Sequence, residues 1–443
     1  MVSPLGTDAG GRWLRLMDRA RSSPFLASMA VLSGGSAFSA AIGLVATPFL
    51  SRLYTPTEYG VLGVFAAAMS LFSVIATLRY DRAIPAAADE REAAKILRVA
   101  LATVVVTSAL CCVMVMSGAL GLLMAAARGH ELLLAWSLPL GMAAAGTYEA
   151  LSHWMVRRRD YSTLSLTKVA QGSSMVGSQM ALGLMKVGAV GLVVGQIAGS
   201  SMGIARLVRR IRQYDHAAFA GITLSELRAT ARTYRRFPLL SAPAVLLDAL
   251  TGALPILVIA TRFGGNAAGV FTIVSRVLLA PLALITMSLG QIYFGELATL
   301  HRTRPDAMLA LFYRRLGHVV GMGVILVAAM MITVPFLLPI VLGARWGDAT
   351  QYFLILSPMV FAGFISVPFS FSVDVLRRQD LHFLRDFLRA VVLTASLWMA
   401  GSYQLGALST LRVISAAGFV NGMIYLAISW YALAAERQEP ARA

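Results

Sequence analysis

Three ionisable residues lie deep inside long apolar runs: Asp248, Arg276 and Glu149. An ionised side chain near the centre of a bilayer costs at least about 2.5–3.5 kcal/mol on insertion scales, so each should face protein or a wet cavity. At about 1.5 Å per helical residue, Asp248 sits about ten residues into its run from one end. Arg276 sits about nine residues into the following run from the other end, so the two reach a similar depth on consecutive helices. Two chemistries fit that placement. One is a mutual ion pair that pins the helices together. The other is a cationic site for an anionic ligand at Arg276, beside a titratable or ion-binding carboxylate at Asp248. Glu149 lies nearer one membrane face and offers a second carboxylate for ion coupling. Lys168, Arg389 and Arg412 lie close enough to the ends of their runs to snorkel to the headgroups.

Polar residues sharpen the picture. Thr167, Gln171, Ser174 and Ser178 recur at helical spacing, with Lys168 and Gln179 beside them. Such a stripe suits either a sugar-wetted lumen or hydrogen-bonded helix contacts. Gly35, Ser39 and Gly43 form a small-residue stripe suited to close helix packing. Other chemistries find no support. There is no glycine-rich phosphate loop with its lysine, and no nucleophile or zinc motif. The adjacent Cys111 and Cys112 supply no disulfide framework, and the six histidines fall into no ligand spacing. No cofactor is expected, leaving Na+ or H+ as the candidate coupling ion.

The elements that must hold these residues follow from composition. The chain has 443 residues, 58% hydrophobic and 13% charged, with a mean hydropathy of +0.73. Soluble domains carry about 25% charge, so a water-soluble enzyme is excluded. With about 20 apolar residues per span, the chain reads as an all-α integral membrane protein of about twelve transmembrane helices. The expected spans are 25–50, 57–78, 97–125, 131–156, 163–185, 187–208, 238–261, 267–294, 317–343, 349–373, 386–404 and 408–434. The net charge of +17 is spread in short clusters between apolar runs, which argues against nucleic acid and for the positive-inside rule. With the N-terminus in the cytoplasm, twenty-nine Lys and Arg fall on the cytoplasmic side and five on the other. A multi-pass protein of the bacterial inner membrane with both termini cytoplasmic is therefore expected.

Five regions result: a basic N-terminal segment (1–24), a six-helix lobe (25–208), a basic cytoplasmic linker (209–237), a second six-helix lobe (238–434) and a tail (435–443). Within the linker, Thr223-Leu-Ser-Glu226 is a capping box opening a short basic amphipathic helix. Its expected place is on anionic headgroups, and the segment 11–21 is expected to do likewise. The lobes resemble each other. Arg52 followed by Gly60-Val61 matches Arg262 followed by Gly269-Val270, and parallel six-helix repeats are a plan used by secondary transporters. Prolines at 48, 243, 255 and 281 gather in the first two helices of each half, a hint of moving parts.

The run Pro48-Phe-Leu-Ser-Arg-Leu-Tyr-Thr-Pro-Thr-Glu-Tyr-Gly60, continuing to Thr77-Leu-Arg79-Tyr-Asp81-Arg82, resembles the bacterial lipid-linked oligosaccharide flippases. These are the O-antigen and exopolysaccharide exporters of the polysaccharide-transporter family. The run Ala268-Gly-Val-Phe-Thr-Ile-Val-Ser-Arg276 is similar to that family's eighth helix. The resemblance implies a two-lobed exporter, in the superfamily of multidrug extruders and the peptidoglycan-precursor flippase. It would move undecaprenyl-diphosphate-linked repeat units across the inner membrane by alternating access. Its partners would be that lipid-linked substrate, membrane lipids, and the polymerase and chain-length proteins of polysaccharide assembly. Arg79 and Arg276 match the family's motifs, and Asp81 stands where members often carry Glu. Arg79, Arg82, Lys168, Gln171 and Arg276 are the expected substrate-binding residues, with Asp248 and Glu149 as the ion-coupling pair. Multidrug export, a membrane polysaccharide polymerase or ligase, and a non-transporting scaffold are the alternatives.

Overall fold

The computed structural model describes residues 24–121 and 125–438, and every regular element among them is a helix. The segment 11–21 and the end of the tail lie outside the described residues. α1 (Pro24–Leu53) turns sharply into α2 (Pro56–Ala76). Thr55 caps that corner: its hydroxyl accepts the Glu58 amide, and the Glu58 carboxylate accepts the Thr55 amide. Amides that a helix start leaves unpaired are thus satisfied without water. A 3-10 segment (Tyr80–Ala86) leads into α3 (Glu90–Met116), followed by α4 (Glu131–Arg157), α5 (Tyr161–Leu184) and α6 (Ala189–Ser201). The expected span 187–208 is broken, because Gly203 (φ +96°) diverts the chain into α7 (Ile204–Tyr214). α8 (Leu224–Thr233) opens on the expected capping box of Thr223 and Glu226.

α9 (Ala242–Thr303) contains two expected spans, broken at Gly264, whose φ of +85° and ψ of 178° suit glycine alone. α10 (Met308–Leu342), α11 (Ala349–Ser366), α12 (Phe371–Val375), α13 (Gln379–Ser402) and α14 (Ala407–Gln438) follow. Among the described residues, eight stretches are long and apolar enough to cross a membrane, and one of these, Phe237–Thr303, runs the length of both arms of α9. α4, α5 and α13 fall outside that set. α4 and α5 carry the cavity-lining charges and amides described below.

The halves meet where α2 crosses the second arm of α9. The crossing is built from glycines. A Cβ at Gly269 would overlap the Pro56 carbonyl, one at Gly60 the Gly265 carbonyl, and one at Gly63 the Thr272 hydroxyl. Backbones can approach this closely only without side chains, as in small-residue membrane interfaces. The two stretches whose similarity suggested a repeat therefore pack on each other. Around them, the Trp346 indole donates to the Ser51 carbonyl at 3.0 Å and meets the Tyr59 ring edge-on at 5.3 Å. Arg52 and Arg128 donate to the carbonyls of Ile340 and Thr261, each at 3.3 Å. This end of the molecule is closed by direct contacts between halves.

At the other end, where the arginine clusters lie, the linker docks on protein. α7 buries Leu207 and Ile211 beside Trp154. The Trp154 indole donates to Asp215 at 2.9 Å, and Asp215 also pairs with Arg158 at 2.7 Å. Glu226 of α8 pairs with Lys95 at 3.0 Å, while the Tyr234 hydroxyl donates to Glu92 at 2.7 Å. α8, the helix expected on headgroups, thus also packs on α3, with Leu227 and Ala231 against the hydrophobic cluster that α7 covers at the end of α4.

The glycine crossing makes a clear expectation. Gly269→Ala forces its Cβ onto the Pro56 backbone and should destabilise the protein by about 1–3 kcal/mol, the usual cost of overpacking. Gly317→Ala, at a site with nothing within 4 Å, should change little. Thermal unfolding of the two variants in detergent checks this, and equal melting temperatures would contradict it.

Candidate functional site

Two adjoining cavities, each about 380 Å³, lie in the N-terminal half, the second bounded by Arg276 of the other half. The first is lined by Thr77, Arg79, Asp81, Arg82, Tyr148, Glu149, Lys168 and Gln171, and it starts at the end of the molecule bearing the arginine clusters. The second reaches deeper and is lined by Ser36, Gly43 and Arg276. Ser39, Lys168, Gln171 and Met175 line both, so the two form one path. Arg276 stands about 10 Å along α9 from Gly269 of the glycine crossing, at about 1.5 Å per residue. The path is therefore open toward the basic end and stopped at the other.

Each wall has a local reason. α1 and α5 lie close because Gly35 faces Ser165 and Gly172 faces Ser39, leaving no room for a Cβ. The third member of that small-residue stripe does something else. A Cβ at Gly43 would come within 2.8 Å of the Arg276 guanidinium, so glycine there makes space for the cation. On α5 the lining residues are Lys168, Gln171, Gly172 and Met175, one helical face. The expected polar stripe is thereby corrected in part. Gln171 faces the path, but Thr167 is buried against the Tyr148 hydroxyl at 2.8 Å, and Ser174 and Ser178 line neither cavity. Lys168 stacks its ammonium 4.8 Å from the Tyr148 ring centroid, rather than snorkelling outward.

At the mouth, Leu78 and Arg79 both take left-handed backbone conformations, with φ of +45° and +65°. Such residues cost of order 1–3 kcal/mol each and persist where surroundings enforce them. The bend directs Arg79 into the cavity, where its Nε is buried without a hydrogen-bond partner. Burial, and then the charge of Arg82, lower the Arg79 pKa from its ordinary value, though a guanidinium stays charged. Arg79, Lys168 and Arg276 have no carboxylate within ion-pair distance among the described residues. Arg82 lies 3.5 Å from Asp81.

Asp81 is nearly fully buried. It accepts the Thr77 hydroxyl at 2.5 Å and lies 3.0 Å from His153 Nε2, which in turn is 3.9 Å from Glu149. Asp81, Glu149 and His153 are the described group whose ligand atoms gather within 4.8 Å. Two guanidiniums flank them and Asp81 is already engaged, so the arrangement favours charge sharing over a dication. Sequence reasoning missed His153, although Glu149 and His153 stand four apart and so share a helix face.

Asp248 does not join the cavity. It pairs with Arg389, with its side chain half exposed, so the expected partnership with Arg276 is corrected. Arg389 also borders a separate, largely apolar cavity of about 660 Å³ within the C-terminal half, lined in part by Phe271, Met359 and Phe364.

Burial raises the Asp81 pKa, but the hydrogen bonds from His153 and Thr77 and the charges of His153 and Arg82 outweigh it, and the net shift is downward. A carboxyl held below its unfolded value stabilises the fold above that value, near pH 4, and the stabilisation is lost as pH falls through the folded pKa. Melting temperatures of the wild type should therefore fall more steeply on acidification below about pH 4 than those of Asp81→Asn. Parallel acid limbs would contradict this.

Comparison with known proteins follows the same lines. Residues 49–351 match the family described as polysaccharide biosynthesis protein. No curated protein matches the chain by sequence. Among solved structures, the lipid II flippase MurJ in an inward closed conformation superposes with a TM-score of 0.70 at 12% identity, covering 89% of this chain and 86% of that one. A multidrug resistance MATE family transporter of the MOP superfamily, inward-facing, gives 0.62 at 13% identity, covering 92% and 95%. A MOP superfamily transporter from Pyrococcus furiosus, described as having a binding pocket of reverse polarity, gives 0.58 at 13%, covering 93% and 96%. At these identities the likeness is one of fold.

Proposed function

The chain belongs to the polysaccharide biosynthesis protein family and has the fold of MOP superfamily transporters, and from that premise we propose that it is a flippase for lipid-diphosphate-linked oligosaccharides rather than an enzyme. The observation that carries this reading is the row of cations without ion-pair partners, Arg79, Lys168 and Arg276, along a path closed at one end. Partly buried cations without counter-ions carry a desolvation cost, which is offset when an anionic ligand arrives. A guanidinium offers paired donors that match phosphate oxygens in a low-dielectric cavity.

In this reading the basic end faces the cytoplasm. Arg79 and Arg82 receive the diphosphate, Lys168 and Gln171 carry it inward, and Arg276 holds it at depth. Ser36, Ser39 and Gln171 offer hydroxyl and amide partners for the sugars, while the polyprenyl chain remains in lipid. Opening the glycine crossing and closing the mouth then releases the headgroup on the periplasmic side. A multidrug extruder shares the fold, but the row of Arg79, Lys168 and Arg276 along the path disfavours cationic drugs.

Proteoliposomes carrying a fluorescent lipid-diphosphate oligosaccharide test the proposal. The wild type should flip it, and Arg276→Ala should lose about 10- to 100-fold in rate, the worth of one charge-assisted hydrogen-bonding group at 1.5–3 kcal/mol. Gly43→Val, which pushes the guanidinium aside, should reproduce much of that loss. Equal flipping by all three proteins would reduce Arg276 to a structural residue. No flipping by the wild type, with a glycan matched to the host, would favour drug export.

A further inference from the structure

The charges at the mouth of the path nearly cancel. Arg79 and Arg82 contribute two positive charges, Asp81 and Glu149 two negative ones, and the balance is decided by His153. Its Nε2 lies 3.0 Å from Asp81 and 3.9 Å from Glu149, and its side chain is only 12% exposed. Its Nδ1 is buried with no hydrogen-bond partner. With a neutral imidazole, an incoming diphosphate meets a mouth of no net charge, including a half-exposed carboxylate of the same sign at Glu149. With an imidazolium, both carboxylates have a cationic neighbour and the mouth carries one net positive charge.

We propose that Asp81, Glu149 and His153 form a proton-binding site whose occupancy is linked to binding of a diphosphate at Arg79 and Arg82. This rests on the flippase reading and adds the group that takes the proton. Histidine is the side chain whose unperturbed titration falls between pH 5 and 8. The proton comes from water in the open mouth, with no other bond made or broken. At roughly 10 Å in an effective dielectric near 20, one negative charge changes the proton affinity on the order of tenfold. By reciprocity the protonated protein binds the diphosphate more tightly by the same factor.

The remaining charged groups on the elements packed around the cluster are engaged elsewhere. Arg157 of α4 donates to the carbonyls of Ile84, Pro85 and Ala87. On α3, Glu92 accepts from Tyr234, Arg91 and Lys95 pair with Glu226, and Arg98 donates to the carbonyls of Phe219 and Ile222. Asp215, following α7, is held by Arg158 and Trp154. Lys168 of α5 lines the same cavity and lies against Tyr148, adding to the attraction for an anion without contacting the cluster. Proton exchange at the mouth therefore falls to His153 and its two carboxylates.

The test is calorimetric binding of farnesyl diphosphate to the full chain in lipid nanodiscs, in buffers of different ionisation enthalpy between pH 6 and 8. Protons taken up per bound molecule are read from the buffer dependence. The wild type should take up at least about half a proton more than His153→Gln near neutral pH, and should bind on the order of tenfold more tightly than that variant at pH 6. Glu149→Gln, altered at a half-exposed side chain, should change the uptake profile, because one of the two carboxylates beside the imidazole is gone. Equal uptake by the wild type and His153→Gln overturns the proton site and leaves the flippase reading standing. So does an unmoved uptake profile in Glu149→Gln, should the histidine variant fail to fold. Absence of binding by the wild type at every pH overturns the flippase reading and the linkage with it.

Discussion

The close approach of α2 to α9 sets the shape of everything else. Backbone lies against backbone at Gly60, Gly265, Gly269 and the Pro56 carbonyl, and nothing larger than a hydrogen fits between. In membranes, where lipid chains are as apolar as leucine, association depends on such packing rather than on the hydrophobic effect. The path that holds Arg79 and Lys168 runs among helices of the N-terminal half and meets the other half at Arg276.

Charge explains what the path is for. Cations in a site of low dielectric attract an anion over long distances and bind it strongly once water is displaced. In the proposed function, their spacing along the path gives successive stations for a headgroup that cannot cross hydrocarbon alone. The carboxylates at the mouth temper that attraction, so a ligand is captured without being trapped. A docked linker completes the mouth, with Trp154, Asp215 and Arg158 tying α4 to α7.

Much of this was legible in the sequence, because an ion buried in lipid is expensive wherever the helix points. Depth alone singled out Arg276, and the resemblance singled out Arg79. The path then brought Arg79, Arg82, Glu149, Lys168, Gln171 and Arg276 together. Pairing was not legible. Whether Asp248 meets Arg276 or Arg389 depends on helix rotation and on the break at Gly264, neither of which a hydropathy pattern records. The register of the α5 stripe failed for the same reason, shifting from Thr167 to Lys168 by one residue and about 100°. The linker was legible in part: the capping box of Thr223 and Glu226 marked the start of α8, but an amphipathic pattern does not show that Leu227 and Ala231 pack on protein. His153 was passed over because a lone histidine matches no motif, although its spacing from Glu149 placed both on one face.

The central claim is that one path serves both membrane faces in turn. Paired spin labels report this most directly, one pair on Thr57 and Asn266 beside the glycine crossing and another at the basic end on Ala86 of the 3-10 segment and Arg302 of α9. With the protein in lipid, a polyprenyl-diphosphate oligosaccharide should lengthen the first distance in a fraction of molecules while shortening the second. Distances that never change in opposite senses, with or without that lipid, would contradict the account.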